Sequence, residues 1–587
     1  MKSLGPLKKY LARYRRRLLL GFACILVTNA FALSIPWLLK LAIDGLKVSV
    51  EGGTGSLTRE GLLGYAGLIV GAALVGGFFR YLMRSLMIGA SRYIEYDLRN
   101  DLFRHLQRLS FSFYNRVRTG DLMARATNDL NAVRMFLGPG IMYFCQTIVL
   151  LPWAFFLMLL ISVKLTLFAL IPMPFLTLFA WWFGRAVHRR FTRVQEQYAD
   201  LNARVQENLS GIRVVKAYVR ERYEEKVFDG LNRELVTRNI SLVKVWGMFM
   251  PFMFFMSGVS MVIVLWLGGR QVIAGAITLG DFVAFSGYMA LLTWPVVSVG
   301  WVLNLVQQGA ASMRRIQAVF EERPEITDAV DAVRGHEIRG RIEFRNVSFA
   351  YGPIGEPVLR NIDLTIPAGG TVAIVGRTGT GKTTLVSLIP RLFDVTEGEV
   401  LVDGVDVRRI PLEELRRRVG MVPQETFLFS ETIAQNIAFG VEDDSREDVE
   451  RVAELSQLAG EVENLPRGYE TLVGERGVTL SGGQKQRAAI ARALLRNPSI
   501  LILDDALASV DTYTEEKILT RLREFMKERT SLIISHRIST VREADMIVVI
   551  DEGRIVEQGT HEVLLGRGGL YAEIYQKQLL EEELEAS

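Results

Sequence analysis

Residues 371–384 read TVAIVGRTGTGKTT, and this stretch decides the fold of the half of the chain around it. Thr371–Val375 is a short apolar run of the kind that forms a buried strand. It leads without a gap into Gly376, Arg377, Thr378, Gly379, Thr380, Gly381, Lys382, Thr383 and Thr384, followed by a helix-like run to Ile389. Strand, glycine-rich turn and helix, in that order, are the setting that a phosphate-cradling P-loop requires. Glycines let backbone N–H groups wrap phosphate oxygens without Cβ clashes, and the helix N-terminus adds the positive end of its dipole. In this arrangement Lys382 reaches the β- and γ-phosphates, and the Thr383 hydroxyl ligates Mg²⁺. The expected cofactors are therefore ATP and Mg²⁺.

Working outward, residues 499–503 (SILIL) form a second buried-strand run, which ends in Asp504-Asp505. A carboxylate at the tip of such a strand beside a P-loop holds Mg²⁺, which assigns that role to Asp504. Residues 341–351 (RIEFRNVSFAY) alternate apolar and polar, as a half-buried strand does, and end on Tyr351. Between these strands lie Leu480, Ser481, Gly482, Gly483 and Gln484, followed by the helix-like KQRAAIARALLR.

The other half has a different character. Of 587 residues, 49% are apolar and 23% charged, and the mean hydropathy is +0.21. Residues 1–340 carry 40 Lys and Arg against 23 Asp and Glu, whereas 341–587 carry 29 against 41. The basic half is thus the apolar half, which argues against nucleic-acid binding. Uncharged runs at 18–39, 61–79, 135–163, 165–184, 245–269 and 282–313 approach or exceed the roughly 20 residues that cross a bilayer as helix. The third and fourth are split only by Lys164, which reads as a hairpin. The first run continues past Ala30-Phe31-Ala32 to Leu39, too long for a signal-peptide core. Lys and Arg concentrate in the N-terminal tail and in residues 91–134 and 185–244, which the positive-inside rule places in the cytoplasm along with the C-terminal half. Anionic membrane lipids are the neighbours this basic excess implies. Residues 99–109 and 191–209 are amphipathic and free of Gly and Pro, so the membrane helices are expected to run on into the cytoplasm. Turns are expected at 114–121 and 210–217. Cys24 and Cys145 both lie in apolar runs with no CxxC spacing, so neither a zinc site nor a disulfide framework is expected.

The P-loop, the Asp504 strand and the Leu480–Gln484 segment together resemble the ATP-binding cassette family, and the whole chain resembles a half-transporter of its B-type exporters. The resemblance implies an all-α transmembrane domain of six helices (residues 1–320), a linker (321–340) and an α/β P-loop nucleotide-binding domain (341–587). It implies that Tyr351 stacks on adenine, that Gln424 touches Mg²⁺ alongside Thr383 and Asp504, and that His536 contacts the γ-phosphate. It assigns residues 474–477 to a loop that contacts the cytoplasmic helices and 508–511 to a loop crossing the dimer. Leu480, Ser481, Gly482, Gly483 and Gln484 are the family's signature, which completes the ATP site of a partner subunit. A chain with one P-loop and one signature therefore requires a second half-transporter.

One position departs from the family. The residue after the Mg²⁺-associated aspartate is a glutamate that orients the attacking water in active members, and here it is Asp505. Its carboxylate falls short by roughly 1.5 Å at most. Misplacement on the order of 1 Å can cost about a hundredfold in rate. The expected reading is an ATP-driven exporter of hydrophobic or amphipathic small molecules in a bacterial inner membrane, with N-terminus and cassette cytoplasmic. A heterodimer whose own site is weak is favoured over a homodimer. Alternatives are a homodimeric lipid or peptide exporter or flippase, and a nucleotide-gated membrane sensor. Asn29, Gln146, Trp294, Asn304 and residues 248–256 are candidates to face a cavity. Arg80 and Arg84 are placed in a cytoplasmic helix extension, so no strongly charged binding site within the membrane is expected.

Overall fold

A computed structural model describes residues 5–50, 58–352, 355–442, 445–474 and 480–586. They form two compact units, Met1–Leu106 with Gly120–Glu321, and Gln107–Thr119 with Glu322–Ser587.

The first unit is helical. In chain order the helices are α1 (Leu7–Arg13), α2 (Arg15–Val50), α3 (Arg59–Arg108), α4 (Phe111–Arg116, which belongs to the second unit), α5 (Thr119–Ala124), α6 (Leu130–Met135), α7 (Ile141–Ile161), α8 (Val163–Ala169), α9 (Pro172–Ser210), α10 (Ile212–Ala217), α11 (Glu221–Ile263), α12 (Gly269–Ile273) and α13 (Leu279–Glu321). Among the described residues, four stretches are long and apolar enough to span a membrane: Arg15–Ser49, Arg59–Arg108, Thr119–Ile161 and Glu221–Ile273. The other two apolar runs lie on α8 and α9 and on α13. Thr119–Ile161 is a single rod in which α5, α6 and α7 are joined by two π turns, the second holding Pro139, whose missing N–H suits a widened turn. Lys164 lies inside α8, and the break in the helix comes just before it. There Ser162 turns extended, caps α8 by accepting the Leu165 amide at 3.2 Å, and donates to Gln271 at 2.9 Å.

The centre of this unit is on α13, where Phe285 and Tyr288 are fully buried among Leu33, Leu150, Ala154 and Val264. The Tyr288 hydroxyl donates to the Leu33 carbonyl at 3.1 Å, so the one polar atom of that ring is satisfied in the core. Helices α3 and α9 do continue through residues 99–108 and 191–209.

The second unit holds two sheets. The strands are β1 (Ile342–Phe349), β2 (Leu359–Ile366), β3 (Thr371–Val375), β4 (Glu397–Val402), β5 (Val405–Asp406), β6 (Val419–Val422), β7 (Ile500–Asp504), β8 (Thr530–Ile534), β9 (Met546–Asp551) and β10 (Arg554–Gly559). One sheet runs β2-β1-β4-β5 with antiparallel pairing, and the other β10-β9-β3-β8-β7-β6. Strands β9, β3, β8, β7 and β6 of the second sheet are mutually parallel, and β10 closes the edge antiparallel. Buried parallel strands read as unbroken apolar runs rather than alternations, which is why TVAIV and ILIL were legible. Residues 322–340 are not a free tether. Ile338 is buried in the core, and Arg339, Gly340 and Arg341 donate their amides to Asp403 at 2.8–3.0 Å.

The first cytoplasmic turn departs from its expected place. It is the short helix α4, at 111–116, and not residues 114–121. It rests on the cassette of its own chain. Phe111 meets Phe393 edge-on at 5.6 Å, Arg116 pairs with Glu325 at 3.2 Å, and the Ser110 hydroxyl accepts the Ile326 amide at 2.9 Å. Sequence reading missed this because nothing in the periodicity of 107–119 shows which unit the segment packs against.

Candidate ATP site

Strand β3 delivers the glycine-rich turn to the carboxyl edge of the parallel sheet, where such folds bind ligands. Two of its glycines are required by space. A Cβ on Gly376 would lie 2.2 Å from the Ile550 carbonyl oxygen, and one on Gly381 would lie 2.8 Å from the Leu359 side chain. Both also have positive φ, at 155° and 98°, where other residues are strained. The helix Lys382–Ser387 starts directly behind.

A cavity of about 340 Å³ opens there. It is lined by Tyr351, Thr378, Gly379, Gly381, Lys382, Thr383, Thr384, Gln424, Asp504, Asp505 and His536. Residues from five separate segments thus converge on one site. Lys382 is buried, and its ammonium donates to the carbonyls of Gly376 and Arg377, both at 2.8 Å, curling over its own loop. Burial pushes its pKa down, opposed by the charges of Asp504 and Asp505. An anion entering the loop would replace two neutral carbonyl acceptors with charged ones, a stronger partner for the same ammonium.

Asp504 is the last residue of β7, one residue later than the run read from sequence, and is 1% exposed. Burial pushes its pKa up, as does Asp505. The Thr383 hydrogen bond, Lys382 and His536 pull the other way. One carboxylate oxygen, Oδ2, is buried with no hydrogen-bond partner. A buried orphan oxygen is costly unless something fills its place. A hard divalent cation fits here, because Thr383, Gln424 and Asp504 all offer oxygen donors to one cavity. These three residues would hold Mg²⁺, which when bound would neutralise charge on the phosphates.

Asp505 sits in the left-handed region at φ 49°, a conformation that aspartate tolerates better than most residues. Its backbone is pinned on two sides: the amide donates to the Ile534 carbonyl at 2.9 Å and the carbonyl accepts from Gln486 at 3.4 Å. The carboxylate's starting point is therefore fixed, and the shorter side chain cannot recover its reach by a backbone shift without breaking these bonds. Behind His536, Arg537 forms an ion pair with the buried Glu515, and Arg537 also donates to the Val510 carbonyl at 3.1 Å.

Tyr351 is half exposed at the rim. Its hydroxyl shares a hydrogen bond with Thr384 at 2.8 Å, and its ring meets Phe349 at 4.9 Å and Phe393 at 5.3 Å, both edge-on. One ring face is thus left free of these partners. Phe393 was not singled out from sequence; its role is visible only once β1 and the segment after the P-loop helix are brought together.

The signature residues lie elsewhere. Ser481 caps the helix Gly482–Leu495 in a reciprocal pair with Gln484: the Gln484 amide donates to the Ser481 hydroxyl at 3.2 Å, and the Ser481 amide to the Gln484 side chain at 2.8 Å. Leu480 is buried beneath. Gly482 and Gly483 approach Ser509 so closely that a Cβ would meet it at 3.3 and 3.0 Å. None of these five residues lines the P-loop cavity of the same chain. Arg377 and Thr380 shape the loop from outside that cavity, where the Thr380 hydroxyl donates to the Arg377 carbonyl at 2.9 Å. Of residues 474–477, those from 475 onward lie outside the described residues.

In the helical unit, Asn29, Gln146 and Trp294 do line one cavity, and Asn304 does not. Phe249 and Phe252 stack on Phe183 and Phe179 at 4.5 and 3.6 Å, so this part of 248–256 packs α11 against α9. Arg80 and Arg84 line the same cavity as Asn29.

Comparison with known proteins agrees with this geometry. Residues 18–296 match the ABC transporter transmembrane region, and 359–508 match the ABC transporter family. The chain is 38% identical over 99% of its length, and 98% of the relative's, to the Bacillus subtilis protein named "Probable multidrug resistance ABC transporter ATP-binding/permease protein YheI". It is also 38% identical to the ATP-dependent lipid A-core flippase of Syntrophus aciditrophicus, covering 97% of this chain and 93% of that protein. A solved bacterial Atm1-family ABC exporter with ATP bound superposes with a TM-score of 0.76 at 28% identity, covering 96% of this chain and 99% of that one.

Proposed function

The chain belongs to the ABC transporter family, with that family's transmembrane region and ATP-binding domain in one polypeptide, and from this premise we propose that it is one half of a heterodimer whose own ATP site turns over slowly. It is an ATP-driven exporter half-transporter, and such halves work in pairs. The observation that carries the finer reading is Asp505, held by its backbone at the mouth of the P-loop cavity, while the signature from Leu480 to Gln484 is intact. Tyr351 holds the adenine, residues 376–384 the phosphates, and Thr383, Gln424 and Asp504 the Mg²⁺. His536 and Asp505 face the γ-phosphate, with Asp505 a poor orienter of water. The cargo is a hydrophobic or amphipathic compound, as the multidrug relative's name suggests, taken from the cytoplasm or the inner leaflet of the cell membrane.

The homodimeric flippase reading draws support from the similarity to the lipid A-core flippase. Purification from native membranes separates the two. A second, different half-transporter should co-purify, and ATPase activity should need it. Robust ATPase and dye uptake into inverted vesicles by this chain alone would replace the heterodimer with a homodimer.

A further inference from the structure

The exporter reading leaves the chemistry of the cargo open, and the helical unit bears on it. A cavity of about 300 Å³ between α2, α3, α7 and α13 has Arg80, Arg84, Asn29, Gln146, Thr147 and Ser298 among its lining residues. A second cavity of about 450 Å³ shares Arg80 and is lined also by Thr28. Asn29 lies within the uncharged run 18–39, and Arg80 directly follows the uncharged run 61–79.

The two arginines are the anomaly. They stand at i and i+4 on α3, one above the other, where like charges repel. Neither has an ion-pair or hydrogen-bond partner among the described residues. No Asp or Glu among the described residues lines either cavity. Elsewhere in the same unit the pattern is the opposite: Lys40 pairs with Asp281 at 2.7 Å, and Arg134 with Glu95 at 3.5 Å. Arginines without a protein partner, lining a cavity beside such apolar runs, mark a site.

The neighbouring polar groups are also underused. Thr28 is 1% exposed, and its hydroxyl has no hydrogen-bond partner, although a helical threonine can usually reach a carbonyl of the preceding turn. The Asn29 side chain reaches the Gln146 carbonyl only at 3.5 Å, and Thr147 meets Ser298 only at 3.5 Å. Both distances are at the outer limit of a hydrogen bond. Met83, Met142, Leu150, Leu291 and Trp294 complete the first cavity with apolar surface.

We propose that this cavity is the cargo site and that its cargo is an amphipathic anion, a carboxylate, phosphate or sulfate joined to an apolar body. The guanidinium groups of Arg80 and Arg84 take the anionic head with bidentate hydrogen bonds, a geometry that suits Arg better than Lys. Asn29 supplies a neutral donor, and the methionine and tryptophan surface takes the apolar part. This rests on the exporter reading above.

The test uses the full-length chain, in the assembly it forms in the membrane, placed in nanodiscs of neutral phosphatidylcholine. Binding of three probes with the same dodecyl chain is compared: dodecyl phosphate, dodecyltrimethylammonium and dodecyl maltoside. Dodecyl phosphate should bind at least tenfold more tightly than either other probe. R80Q/R84Q should abolish that preference, and R80K/R84K should keep a large part of it. Inorganic phosphate, with no apolar body, should not compete at equal concentration. Adding phosphatidylglycerol to the discs identifies the source: competition assigns the site to a lipid headgroup, and its absence to a water-borne amphiphile. Equal or tighter binding of the cation, or an unchanged preference in R80Q/R84Q, overturns the proposal. If the double variant does not fold, the three-probe comparison on the unaltered protein still decides. ATP-driven uptake of the cationic probe into inverted vesicles would keep the exporter reading while rejecting the anion. Anion-selective binding without ATP-driven movement of any probe would do the reverse.

Discussion

The side chain of Gln486, on the signature helix, accepts the backbone amide of Ser509 at 2.9 Å. Its other end donates to the Asp505 carbonyl at 3.4 Å, and Gln486 is 4% exposed. One buried amide therefore ties the helix Gly482–Leu495 to the loop that follows Asp504. Gln486→Leu keeps the volume and orphans the Ser509 amide, which should cost about 1–3 kcal/mol of stability. ATP affinity at the P-loop should stay within a few-fold, while ATPase of the assembled transporter falls. Denaturation of the purified protein and nucleotide titration measure the two effects separately.

Lys382→Ala removes the only ammonium that lines the P-loop cavity among the described residues. A hydrogen bond to a charged group is worth about 1.5–3 kcal/mol, so ATP should bind about ten- to a hundredfold more weakly at this site. Titration with a fluorescent ATP analogue on this subunit reads the change. Unaltered affinity would remove Lys382 from phosphate binding.

Ser481→Arg and Asp505→Asn separate the dimer models. In a heterodimer with an active partner site, Ser481→Arg puts bulk against the partner's γ-phosphate and should abolish most turnover, while Asp505→Asn costs little. In a homodimer every site contains both residues, so the two variants should be comparably severe. Steady-state ATPase rates of the two purified variants decide between them.

The pH dependence of Mg²⁺ activation should report Asp504. Burial holds its carboxyl above the ordinary range, and only the ionised form binds a cation. As pH falls toward that raised pKa the proton competes with Mg²⁺, so the Mg²⁺ concentration needed for half-maximal activity should rise on the acid side of neutral. Asp504→Asn should weaken Mg²⁺ binding and flatten this dependence. A wild-type requirement that does not change with pH would separate Asp504 from the ion.

Helix α10 buries none of its residues, and Val214 is 61% exposed. An apolar residue on a largely exposed helical turn between two long helices awaits a surface. Val214→Arg should leave the chain folded and nucleotide binding intact, yet lower transport per ATP hydrolysed by severalfold. Parallel transport and phosphate-release assays measure that ratio, and an unchanged ratio removes α10 from coupling.

What could be read in advance follows the range of the interactions. The P-loop, β3 and the helical runs announce themselves within a dozen residues, because local steric demand and periodicity fix them. Tyr351, Gln424, Asp504, Asp505 and His536 could be ordered along the chain, but only the sheet brings them to one cavity. Arg80 and Arg84 fall just past the uncharged run that stops at Phe79, and only the fold shows that they share a cavity with Asn29. Phe393 and Glu325 were silent, since their partners Phe111, Ser112 and Arg116 lie more than two hundred residues away in sequence.

That last set of contacts bears on how such chains can recombine. The body containing the cassette is not one uninterrupted stretch of gene; it includes residues 107–119 as well as everything from 322 onward. A chimera that exchanges cassettes between two half-transporters at the obvious junction near residue 322 would leave Phe111, Ser112 and Arg116 facing a foreign Phe393 and Glu325. Grafts that carry the short upstream segment along with the cassette keep these matched pairs together. The natural module boundary is therefore split, and crossovers that respect it require two cuts rather than one.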